Sequence, residues 1–139
     1  MPCLEVVMPK ADEATRRTLG EKLTAAFVDS AGYGGDIFAV HFNEYEQGAV
    51  YLNGELWQGE GVPYLHLLLY SPRLTRSVKV KLIEKLTAAF VECVGKEDWQ
   101  PVIHLAEHPY DNVGVEGKPL SLLIPELAGR RFYYDLPGD

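Results

Sequence analysis

The sequence predicts an α+β domain in which two tandem β-α-β units form a four-stranded mixed sheet with two helices on one face. Three observations lead there. The octapeptide EKLTAAFV occurs twice, at residues 21–28 and 84–91, an offset of 63. The same offset pairs Leu4 with Leu67, Pro9 with Pro72, Gly32 with Gly95, His41 with His104, Glu44 with Glu107 and Gly54 with Gly117, a register too long to arise by chance. Within each copy the apolar period changes from strand-like to helical and back. Two copies are too few for a solenoid, and 139 residues suit one domain, so the copies must share a core.

Each unit opens on a short apolar run closed by a proline, CLEVVM (3–8) and LHLLLY (65–70), as a buried strand would be. Asp12 and Thr75 stand at matching positions as N-caps. Leu19, Leu23, Ala26 and Phe27 then recur at helical spacing, and Leu82, Leu86, Ala89 and Phe90 repeat the stripe. Gly32 and Gly95 fit the helix ends. In the second strand Phe38, Val40 and Phe42 alternate with Ala39, His41 and Asn43, and Ile103 and Leu105 do the same with Val102, His104 and Ala106. Hairpin-like pieces follow at 49–55 and 112–118. The expected organisation is one domain over 1–139: a first unit at 2–56, a linker at 57–64, a second unit at 65–118, and a tail at 119–139. An apolar, aromatic tail is expected to wrap a neighbour or cover a sheet edge. One sheet face, carrying Cys3, Glu5, Leu68, Tyr70 and the strand histidines, is left without helices, which suggests an oligomer that covers it.

The net charge of −7, with no basic cluster, excludes binding nucleic acid through its phosphates. No run approaches the ~18–20 apolar residues of a membrane span, and the N-terminus lacks the charged and apolar regions of a signal peptide. A cytoplasmic protein is the expectation. Cys3 and Cys93 lack metal-ligand spacing and read as reduced core cysteines. His104 and His108 stand four apart, but at a strand end with no third ligand, so no metal is expected, and no cofactor.

Met1-Pro2-Cys3-Leu4 opening the first strand, the tandem repeat, and the stretch FAVHFNEYEQGAVYLNGELWQG (38–59) together resemble the tautomerase superfamily. That superfamily includes 4-oxalocrotonate tautomerase, malonate semialdehyde decarboxylase and the cis-3-chloroacrylic acid dehalogenases, and the 38–59 stretch looks most like the last of these. The resemblance implies a homotrimer acting on a small carboxylate. It also implies that Pro2, freed by removal of Met1, is the general base and acid. An α-amino group titrates near ~7.7–8.0, and burial or nearby arginines bring it closer to neutrality. Proline's rigid ring aims the lone pair in one direction. Arg73 and Arg76, before the second helix, resemble the dehalogenases' pair of carboxylate-binding arginines, with two solvated surface cations as the other reading. Lys10 is the first unit's weak equivalent. The glutamate that activates water in that branch matches Glu116 if one residue is inserted, and the tyrosine falls on His104, a histidine that could equally pair at a subunit interface. The branch's own histidine falls on Phe27, a core position. Tautomerisation is the leading expectation, with hydratase, dehalogenase or decarboxylase chemistry on a three-carbon acid, or a silent trimeric binding protein, as alternatives.

Overall fold

A computed structural model describes residues 2–124 and 126. The first unit runs β1 (Cys3–Pro9), α1 (Glu13–Ala31) and β2 (Ala39–Tyr45), then a small hairpin of β3 (Tyr51–Leu52) and β4 (Glu55–Leu56). The second runs β5 (His66–Ser71), α2 (Arg76–Val94) and β6 (Val102–Glu107). A 3-10 turn (Tyr110–Asn112), a hairpin of β7 (Gly114–Val115) and β8 (Lys118–Pro119), and the short α3 (Leu120–Leu123) complete it.

The predicted strands and helices form where the sequence placed them, although Thr75, at the N-cap position of α2, makes no side-chain cap hydrogen bond. The Asp12 carboxylate accepts the Thr15 N–H at 2.7 Å, which satisfies a donor that the first turn of α1 leaves open. Gly32 and Gly95 end the helices in the left-handed region, at φ 79° and 69°. Both hairpin tips, Asn53-Gly54 and Glu116-Gly117, have positive φ at both central residues, the backbone of a tight two-residue turn.

The sheet order is β2-β1-β5-β6. Strands are parallel within each unit, and β1 meets β5 antiparallel. Glu5 lies opposite Leu68, its own partner at the offset of 63, so the local twofold axis passes through this pair. Leu4, Val6 and Met8 of β1 and Leu67 and Leu69 of β5 point to one face and are buried there. Both helices cover that face: Leu19, Leu23 and Phe27 of α1 and Leu82, Leu86 and Phe90 of α2 are fully buried in one cluster with the strand residues. Each such side chain removed from water contributes about 1.5–3 kcal/mol. The opposite face is uncovered in the single chain and carries Glu5, His41, His66, Tyr70 and His104. Cys3 lies on this open face rather than in the core, because strand alternation gives the inward place to Leu4. Cys93 packs at the core's edge, and both are unpaired. Among the described residues no helix is long and apolar enough to cross a membrane. The tail's first residues extend the second hairpin and form α3, while Pro125 and 127–139 lie outside the described residues.

Candidate active site

The antiparallel junction decides where chemistry can gather. Because β1 and β5 run in opposite directions, the start of β1 lies beside the end of β5, with Cys3 opposite Tyr70. The end of β6, parallel to β5, and the loop that leads into β2 reach the same sheet edge. A cavity of about 480 Å³ opens there. Its lining includes Pro2 from the chain start, Arg73 and Leu74 from the loop before α2, and Tyr33 and Ile37 from the loop after α1. His108 and Tyr110 enter from the segment after β6, and Leu120 and Ile124 close it from α3 and just beyond.

Pro2 is buried, and an aromatic stack stands behind it. Phe27 stacks on Phe38 with centroids 4.3 Å apart and 5° between planes, and Tyr33 meets Phe27 edge-on at 5.6 Å. Gly34, at φ 99°, lets the loop press onto this stack: a Cβ there would come within 2.9 Å of Phe27 Cε1 and 3.7 Å of Pro2 Cγ. Burial pushes the Tyr33 hydroxyl's pKa up, and the neighbouring Tyr110 adds to the effect, so the phenol keeps its proton to donate.

The Arg73 loop is pinned from beneath. Glu107, at the end of β6, accepts the Leu74 N–H at 2.9 Å and pairs with Lys79 of α2. The His108 N–H donates to the Ser71 carbonyl at 3.1 Å, and the Ser71 hydroxyl donates to the Pro72 carbonyl at 2.9 Å. Nε and Nη1 of Arg73 are buried. Opposite, Ser121 donates to the Asp111 carboxylate, and the Leu120 N–H donates to the Val113 carbonyl at 2.8 Å, which ties α3 to the turn carrying Tyr110.

Of the residues singled out in the sequence, Pro2 and Arg73 meet in this cavity. Arg76 is exposed on the first turn of α2 and does not line it. Glu116 is exposed at the β7–β8 hairpin tip, at the position that Asn53 holds in the first unit. His104 projects from the open sheet face, where its Nδ1 lies 2.7 Å from His66 Nε2. Within one chain these three are apart from Pro2. His108, four residues from His104, is on the cavity wall, and the described residues gather no group of three or more His, Cys, Asp or Glu side chains around a metal position. Sequence reasoning missed Tyr33, Ile37, His108, Tyr110, Leu120 and Ile124. The signal that could have found four of them is disagreement within the repeat, whose partners are Lys96, Gln100, Tyr45 and Gln47 for Tyr33, Ile37, His108 and Tyr110.

Residues 63–122, the second unit with the start of the tail, match the model of the tautomerase enzyme family. The match to that family is thus carried by the second unit. Solved structures share its fold along nearly the whole chain. A wild-type fused 4-OT, solved as an asymmetric trimer, superimposes with a TM-score of 0.79 at 20% identity, covering 92% of this chain and 99% of that one. Malonate semialdehyde decarboxylase gives 0.71 at 17% identity, covering 89% and 98%. A member of the cis-3-chloroacrylic acid dehalogenase family gives 0.67 at 20% identity, covering 91% and 98%. No curated protein matches the sequence.

Proposed function

We propose that this protein is a member of the tautomerase superfamily and a cofactor-independent tautomerase-like enzyme, in which Pro2 is the general base and acid for keto-enol proton transfer on a small unsaturated carboxylate bound by Arg73. The observation that carries this reading is that Pro2 of the first unit and Arg73 of the second line one cavity. Removal of Met1 frees the Pro2 nitrogen as a secondary amine. The aromatic stack behind it disfavours the ammonium form, which suits a group that must take up and release a proton near neutrality. The amine takes the enol hydroxyl proton as the C=O bond forms, and the ammonium delivers a proton to carbon. Only O–H and C–H bonds are exchanged, with a rearrangement of the double bond. Arg73 offers the carboxylate a planar, two-pronged partner, and Tyr33 and Tyr110 can donate to the developing carbonyl oxygen.

Tautomerisation is favoured over water addition because the groups implied for activating water, Glu116 and His104, are away from the cavity in the single chain. Assembly as a homotrimer is part of the proposal: fused 4-OT structures are trimers, and the uncovered sheet face offers a surface for it. The test is ketonisation of phenylenolpyruvate or a simple 2-hydroxydienoate by protein with verified removal of Met1, beside Pro2→Ala. Equal rates for the two proteins would end the reading.

A further inference from the structure

The cavity's composition says more about the substrate than the presence of a carboxylate anchor does. Among the described residues that line it, Arg73 is the one lysine or arginine and none is an aspartate or glutamate. Most of the other lining side chains are apolar, Ile37, Leu120 and Ile124 among them. A second carboxylate placed against these side chains would exchange water for hydrocarbon, a costly transfer. The volume of about 480 Å³ lies in the range that holds a ring-sized ligand, and a three-carbon acid would leave much of it unfilled.

Resting on the proline reading of this same site, we infer that the cavity selects monocarboxylates with a bulky apolar far end, such as aryl-substituted enol acids, over dicarboxylates and three-carbon acids. Ile37 and Ile124 set this preference at the rim. The anchor gives one carboxylate a guanidinium, while the rim rewards burial of hydrocarbon and penalises a second charge.

Binding of unreactive probes tests this without relying on turnover. Calorimetric titration of the full chain, free of Met1, is expected to show hydrocinnamate binding at least about tenfold more tightly than adipate or propionate. Ile37→Lys and Ile124→Lys, both at rim positions more than a third exposed and so compatible with folding, are expected to strengthen adipate and weaken hydrocinnamate. Adipate or propionate binding wild type as tightly as hydrocinnamate would overturn the inference. So would a hydrocinnamate-to-adipate ratio unchanged in both lysine variants, or absence of binding by all three acids. Turnover by Pro2→Ala, measured separately, reports on the proline alone, so failure of that reading stays distinct from failure of the selectivity.

Discussion

The two edges of the sheet were built from the same repeat, yet they carry different chemical groups. At the site edge stand Pro2, Tyr33, Arg73 and Tyr110. Their counterparts at the other edge are Leu65, Lys96, Lys10 and Gln47. Leu65 is an internal residue, 3% exposed, whose nitrogen is an amide. Lys10 is 69% exposed and pairs with Glu46 at 3.7 Å, a solvated contact that adds little. Lys96 lies over the Trp99 ring at 4.0 Å. What the edges share is the support beneath. Glu44 accepts the Ala11 N–H and pairs with Arg16 at 3.1 Å, as Glu107 does with Leu74 and Lys79. The comparison teaches that the repeat preserved the scaffold that holds the loop before each helix, while the side chains on that loop diverged. A chain has one N-terminus, so under this proposal only one edge can present a free amine.

The sharpest way to break this contrast is Pro2→Ala. Met1 removal from that variant still leaves an amine, but a primary and less rigid one, and turnover is expected to fall by about 10²–10⁴-fold. A loss of activity that appears only as a raised KM would instead make Pro2 a wall of the cavity. The scaffold comparison comes next. Glu107→Ala leaves the Leu74 N–H and Lys79 without their carboxylate in a largely buried place and is expected to cost about 1–3 kcal/mol by urea unfolding. Glu44→Ala should cost a similar amount. Only the first should also raise KM, because only that loop carries the anchor, and equal effects on KM would dissolve the asymmetry. Arg73→Lys turns the site edge toward the other edge's Lys10. Loss of the two-pronged geometry is expected to raise KM about tenfold, while Lys10→Ala leaves it unchanged.

Both outcomes at the site follow from which signals a repeat carries. The strands, helices, helix-ending glycines and hairpins were legible because each is specified by local period and turn chemistry, stated twice. Pro2 was legible from its place after Met1, and Arg73 from its place before a helix. The rest of the wall was not, because Tyr33, Tyr110 and Leu120 look like loop and tail residues until the antiparallel β1–β5 pairing brings their ends together. The tail was expected to cover a neighbour or a sheet edge, and its described start closes the cavity of its own chain. Glu116 stands at a hairpin tip, at the position that Asn53 holds in the first unit.

That position supplies a smaller test. Asn53 has φ 53° and Glu116 φ 51°, and a glutamate gains nothing from a left-handed turn that asparagine tolerates well. Glu116→Asn is expected to raise stability by about 0.5–1 kcal/mol, read from the urea midpoint. A gain in stability with turnover unchanged fits the hairpin tip as seen in one chain. A gain accompanied by lost turnover would assign Glu116 a role at a neighbouring protomer's cavity, and the strain would then be kept for function.

The smallest effect separates the units on the open face. In the first unit His41 Nδ1 lies 2.6 Å from the Glu5 carboxylate, whereas in the second His104 meets another imidazole, His66. Burial lowers the His66 pKa, and the proximity of His104 lowers it further. An unfolded chain therefore takes up a proton at His66 at a higher pH than the folded chain does. With more protons bound in the unfolded state, stability falls as pH drops below the ordinary histidine value of about 6.5, and no such term operates above it. His66→Gln should flatten that decline in urea midpoints between about pH 6.5 and 5. The effect is modest because His66 keeps much of its contact with water. A slope unchanged by the substitution would mean that the pair titrates alike in both states, and that the two units differ at this face in sequence alone.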